Sequence, residues 1–179
     1  MPPDDKPLQK PQQKADGKAL PNSEDKQAEA SMQRAVNTAE NAQKAVSFAR
    51  AMLGTLAVGK VWRHTAPRGE LEIKGALNLD GEAVCVLHFS PEDGSLLPKG
   101  LHALAEGKPE AISIVESKLK KVSEDLTVLD GAEFREPESC WAIPVAHQGR
   151  IVAHLKVSAD GSKILPDRKA IEESGRAGA

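Results

Sequence analysis

The chain has 179 residues, enough for one domain with flanking segments, and a formal net charge of −2, which gives no bulk attraction to nucleic acid or an anionic membrane. Aromatic residues make up 3 % and tyrosine is absent, so stacking platforms for bases or sugars have little material and the core must be aliphatic. Cys85 and Cys140 are the only cysteines, lie among apolar neighbours, and form no disulfide framework; a bond between them requires that their strands be adjacent.

Residues 1–22 are rich in Pro, Gln, Lys and Asp, with Leu8 and Leu20 among the few aliphatic residues. Such a segment cannot bury enough surface to offset its ordering entropy and is expected to be a disordered tail. No apolar stretch follows a basic one at the N-terminus, so no signal peptide is seen and the expectation is a cytoplasmic chain. No apolar run approaches the ~18 residues of a membrane span.

Ser23, followed by Glu24 and Asp25, provides a hydroxyl cap and an acidic first turn, a helix start. No Pro or Gly interrupts the chain until Gly54, and Met32, Val36, Ala39, Val46, Ala49 and Leu53 share a stripe at spacings of three, four and seven. A long, Ala-rich amphipathic helix is predicted over 23–57. Its slim seam either docks on the following domain or pairs with a second copy as a homodimer.

Residues 58–70 read as a connector. Trp62, Arg63, His64 and Arg68 form the most ligand-like local patch, against the background that basic groups in a loop usually form a solvated face. Lys60, Arg63 and Arg68 are also the residues a weaker nucleic-acid reading would use.

Leu71, Ile73 and Leu77 alternate with Glu72, Lys74 and Asn78, the period of a strand with one covered face. Asp80-Gly81 turns the chain into a return strand over 82–89, and Pro91 and Asp93-Gly94 end it. Pro109 opens a helix in which Ile112, Val115, Leu119 and Val122 form an apolar stripe, ending near Asp125. A short strand at 126–129 and an acidic loop at 136–139 follow. Trp141, Ile143 and Val145 then lead through Gly149 to Ile151, Ala153, Leu155 and Val157, expected on one face opposite Val152, His154 and Lys156. Residues 168–179 read as a polar tail.

The second half repeats itself. GEAVCVLHFSPEDGSLLP at 81–98 and GRIVAHLKVSADGSKILP at 149–166 share a turn glycine, a strand, an Asp-Gly-Ser and an aliphatic pair before proline. The pattern predicts an α+β fold: duplicated antiparallel hairpin or meander units packed against a helix over 58–167, preceded by the long N-terminal helix.

The segment from Pro109 to Asp167, with its helix, its strand at 150–157 and its closing Asp160-Gly161-Ser162-Lys163-Ile164-Leu165, resembles the PepSY family, and 71–98 looks like a degraded first copy. The resemblance implies a helix followed by a three-stranded meander, and an inhibitory or regulatory role.

No phosphate-binding, dinucleotide-binding or nucleophile-elbow motif occurs, and no cofactor is implied. Acidic residues such as Glu70, Glu72 and Asp80 fall on turns and strand positions where solubility explains them. His88 and His154 share the sheet face opposite the aliphatic stripe, which makes them the candidates for a metal or small ligand. The leading expectation is a non-enzymatic module that binds a protein or peptide partner; a small-ligand or metal-binding module using His88 and His154 is the alternative.

Overall fold

In the computed structural model the described residues are 23–102 and 108–177; the tail expected at 1–22 lies outside them, as do 103–107. Residues up to Ala35 form one unit and Val36–Ala179 a second. The helix α1 spans Ser23–Leu53, shorter at its C-terminal end than the sequence suggested. In the first unit its described side chains are exposed, Met32 by 72 %. The buried seam begins only in the second unit, with Ala45 and Ala49 fully covered and Val46, Phe48 and Met52 partly so.

The second unit is mixed α+β with two antiparallel sheets. One has the order β1 (Ala57–Thr65), β2 (Leu71–Leu79), β3 (Glu82–Phe89). The other runs β4 (Leu126–Val128), β6 (Cys140–His147), β7 (Arg150–Ser158), β8 (Ile164–Leu165), with β5 (Glu133–Arg135) also paired to β6. Helix α2 (Glu110–Glu124) lies between the sheets in sequence, and α3 (Arg168–Arg176) follows the second.

Three expectations are corrected. The connector at 58–70 is mostly strand β1; a bulge between Val58 and Val61 breaks its alternation and hides it from a period-two reading. The acidic loop expected at 136–139 contains a short 3-10 turn at Glu136–Glu138, and the residues just before it, Glu133–Arg135, form the unexpected strand β5. The polar tail is helical: the Asp167 carboxylate accepts the Ala170 N–H at 3.1 Å, capping α3.

The two hairpins match in detail. Asp80-Gly81 and Gln148-Gly149 turn with φ of 51°, 86° and 50°, 80°, the doubly positive backbone of a type I′ turn. In each, the return strand carries one extra residue at the same aligned place. Leu77 faces Cys85 while Asn78 faces Ala83, leaving Val84 over; Val145 faces Ala153 while Ala146 faces Ile151, leaving Val152 over. The bulge flips the side-chain alternation. Val152 is buried and Ile151 is 41 % exposed, which reverses the faces expected from strict alternation.

After each return strand a short arm folds back, pairing Phe89 with Leu96 and Val157 with Ile164. Each arm then crosses to the other hairpin. Lys99 donates its backbone N–H to Ile151 O at 2.9 Å, and Asp167 donates to Ala83 O at 2.7 Å. The helices cross in the same sense. A Cβ at Gly94 in the first hairpin's closing turn would lie 3.2 Å from Ala111 O on α2; one at Gly161 in the second would lie 2.9 Å from Asn41 O on α1.

One apolar cluster joins these pieces. Val115, Leu119 and Val122 of α2 meet Ile73, Leu87, Phe89, Ile143, Leu155 and Val157, all buried. Leu119 sits over Gly75, where a Cβ would be 3.1 Å from its methyl groups. Area removed from water drives this packing, at roughly 25 cal/mol per Å². With the apolar faces turned toward α1 and α2, the strands' alternate residues form a second, polar face at the junction of the two hairpins.

Candidate functional site

On the polar face, register fixes which side chains meet. Trp62 on β1 stands opposite Lys74 on β2, and Lys74 stands opposite His88 on β3. His64 pairs with Glu72 one step along. Helix α3 lies over this end and brings Lys169, Ala170 and Glu173 to it. The crossing arms bring Lys99 and Asp167, and β7 brings His154.

The centre is an ion network. Lys74 Nζ is 2.8 Å from Glu173 Oε2 and 3.2 Å from Glu72 Oε2. Glu72 Oε1 is 2.6 Å from His102 Nδ1 and 4.0 Å from His88 Nδ1. Glu173 Oε1 is 3.5 Å from His64 Nε2 and 3.8 Å from Lys169 Nζ. Glu72 and Lys74 are 7 % and 5 % exposed, which corrects the expectation that strand acids here serve solubility. Glu173 on α3, the segment that reads as a tail, closes on Lys74, and His102 closes on Glu72. Two charges so buried persist only when paired.

Burial alone would raise the Glu72 carboxyl, but Lys74, His88 and His102 outweigh it and hold Glu72 below the ordinary carboxylate value. Burial, reinforced by Lys74, pushes His88 down to about 4. Burial, reinforced by Lys99 and Arg135, pushes His154 down to about 4. Both imidazoles are therefore neutral at neutral pH. Burial also lowers the Lys99 ammonium, with Arg135 adding to the effect; Lys99 makes no ion pair among the described residues.

His88 and His154 line one cleft of about 250 Å³, with Lys74, Lys99, Asp167 and Glu173. Two further clefts adjoin it through shared walls. One of about 350 Å³ is lined by Glu138, Lys156, Asp167 and Arg168; the other, of about 410 Å³, by His64, Arg68, Glu72 and His102. Lys169 borders all three. Together the three make an open polar trough rather than a single enclosed cavity. A larger groove of about 770 Å³ opens elsewhere, beside Leu53, Val58, Leu126 and Val128, away from this chemistry.

The residues singled out in the sequence are partly reunited here. His64 and Arg68 line the trough, as do His88 and His154. Trp62 is not a surface platform: it is 2 % exposed and packs with Ala76, Ala83 and Ala170. Arg63 points to the other side of β1, where its guanidinium reaches Lys108 O at 3.3 Å. Sequence reasoning missed Glu72, Lys74, Lys99 and Glu173. The alternation of Glu72 and Lys74 was visible; the helix that covers them was not.

Among the described residues no group of three or more His, Cys, Asp or Glu side chains could hold a metal ion. Cys85 and Cys140 are buried and unbonded, and burial raises the Cys85 thiol to about 12, which makes it a poor nucleophile. No described helix is long and apolar enough to cross a membrane. No protein-family model, curated protein or solved structure matches the chain.

Proposed function

We propose that this chain is a non-enzymatic binding module whose polar trough seats an extended acidic segment of a protein or peptide partner. The observation that carries the reading is the trough itself: three adjoining clefts sharing Lys169, edged by Lys99, Lys156, Arg168 and Arg68. Cations spread over adjoining clefts suit a run of carboxylates better than a compact ligand, and complementary charge raises the encounter rate. The clefts' own acids, Glu70, Glu138 and Asp167, limit how many carboxylates can be met. The neutral imidazoles of His88 and His154 supply one donor and one acceptor each without adding charge. The PepSY-like order of helix, three-stranded meander and short closing strand belongs to the same proposal, since that resemblance implies a regulatory rather than catalytic role.

A compact ligand held between His88 and His154 is the second reading. It is favoured by His154 Nδ1, a buried atom with no hydrogen-bond partner.

Fluorescence anisotropy with a labelled glutamate-rich peptide separates the two. The proposal expects binding that strengthens with peptide length, weakens as salt rises, and falls on Lys99→Ala or Lys169→Ala. Binding of free glutamate as tight as that of the peptide favours the second reading. No binding of either contradicts both.

A further inference from the structure

We propose that the seat of Glu173 is a carboxylate-binding site which α3 fills with the chain's own side chain, and that an acidic partner segment binds there by displacing α3. The inference rests on the trough being the binding face and names how that face is regulated.

Glu173 behaves as a bound ligand would. Its carboxylate lies 2.8 Å from the buried Lys74 ammonium and 3.5 Å from His64 Nε2, groups on two different strands that converge on it. The fit is incomplete. Glu173 Oε1 is buried without a hydrogen bond. Trp62, beneath α3, is 2 % exposed, and its indole N–H is also buried without an acceptor. A buried donor left unmatched is costly and marks a place where a better-placed acceptor gains. A partner segment with a carboxylate for Lys74 and a carbonyl or second carboxylate for the Trp62 indole satisfies what α3 leaves open.

The helix is built to leave. It has nine residues, well below the ~12–15 at which an isolated helix holds in water. Ala170 is its only buried apolar side chain, and Glu173 is the one charged group it carries into the interior. Lys60 Nζ adds an exposed contact of 2.7 Å to Ser174 O. The anchor lies before the helix, where Asp167 bonds to Ala83 O at 2.7 Å and Ile164 pairs with Val157. The chain can swing after Asp167 without disturbing β8.

The displaced state has a defined chemistry. Releasing α3 uncovers Trp62, Ala76 and Ala83, a small apolar floor beside Lys74. A segment whose glutamate reaches Lys74 while a neighbouring small side chain rests on that floor takes the places of Glu173 and Ala170.

The test uses the full chain and the labelled glutamate-rich peptide. Glu173→Gln keeps the shape of α3 and removes its charge on Lys74. The proposal expects peptide affinity to rise about fivefold in Glu173→Gln, because the amide can still bond Lys74 and only the added strength of the charged bond is lost from the competitor. It also expects the Trp62 indole N–H resonance to move on binding while that of Trp141, bonded to Ala159 O at 2.9 Å, stays put. If wild type binds the peptide and Glu173→Gln binds it equally or more weakly, displacement is overturned and the trough reading stands. If wild type and Glu173→Gln both fail to bind, the trough reading itself fails.

Discussion

Lys74 on β2 and Glu173 on α3, 99 positions apart in the chain, meet at 2.8 Å with both side chains almost fully buried. This pair ties the last helix to the first sheet. Because Glu72 also bonds to Lys74, the ammonium balances two carboxylates. Lys74→Met removes the shared cation and leaves both acids buried. It is expected to cost about 3–5 kcal/mol in chemical denaturation, the usual penalty for orphaning a buried charge. Glu173→Gln leaves Lys74 paired with Glu72 and is expected to cost about 1 kcal/mol. Equal costs for the two variants would contradict a shared cation.

The two depressed imidazoles predict acid sensitivity. An unfolded histidine titrates near 6.5, whereas His88 and His154 titrate near 4 in the fold. Between those values the unfolded chain binds more protons, so stability rises with pH and is lost as pH falls from about 6.5 toward 4. Each group contributes a slope of at most about 1.4 kcal/mol per pH unit, less where water reaches it. Facing charges on Lys74, Lys99 and Arg135 favour the neutral rings, and those on Glu72 and Glu133 oppose them. The double variant His88→Gln/His154→Gln is expected to flatten the stability curve over this window. Glu72, held low by Lys74, keeps a separate acid limb below the carboxylate range. A double variant as pH-sensitive as wild type over that window would sink the assignment.

Glycine positions distinguish backbone strain from crowding. Gly149 has φ 80° and nothing within 4 Å of an added Cβ, so Gly149→Ala is expected to cost about 1–2 kcal/mol from conformation alone. Gly161 has φ 75° and meets Asn41 O and Ala45 N of α1, both at 2.9 Å. Gly161→Ala adds a collision with helix backbone and is expected to cost roughly 3 kcal/mol or more. Thermal melts of the two variants report the difference; similar melting temperatures would mean that α1 does not press on this turn.

Core and bulge make opposite predictions for neighbouring residues. Leu119→Ala and Leu155→Ala empty fully buried sites and are expected to cost about 2–5 kcal/mol. Val152→Ala, buried by the bulge, is expected to cost about 1–3 kcal/mol. Ile151→Ala, at the exposed position, is expected to stay within about 0.5 kcal/mol of wild type. Urea titration of the Val152 and Ile151 variants tests the register directly, since strict alternation predicts the reverse order.

Much of this fold was legible because its signals are local. Asp80-Gly81 and Pro109 announce a turn and a helix start with chemistry that few other structures use. The bulges at Val84 and Val152 were not legible. An extra valine in an apolar strand changes neither composition nor turn chemistry, only the face that each neighbour takes. Strand β1 was hidden by its own bulge near Gly59 and by the polar residues it turns toward α3. For the site, the parity that puts His88 and His154 on one face agrees with their lining one cleft, whereas the pattern around Glu72 and Lys74 reads as solvated and both are buried. Lys74 is closed by Glu173, 99 positions later, in a segment whose only local cue was Asp167 as a cap, and Glu72 is closed by His102, 30 positions away. A pairing across that distance leaves no period in the sequence.

Binding of an acidic segment is expected in the trough and on no other surface. Amide chemical-shift mapping of the isotopically labelled full chain during titration with a glutamate-rich peptide tests it most directly. The prediction is that perturbed amides cluster at Lys74, His88, Lys99, His154, Lys169 and Glu173, and that the shifts diminish as salt is raised. Shifts confined to the groove beside Leu53, Val58 and Leu126, or no shifts at saturating peptide, would contradict it.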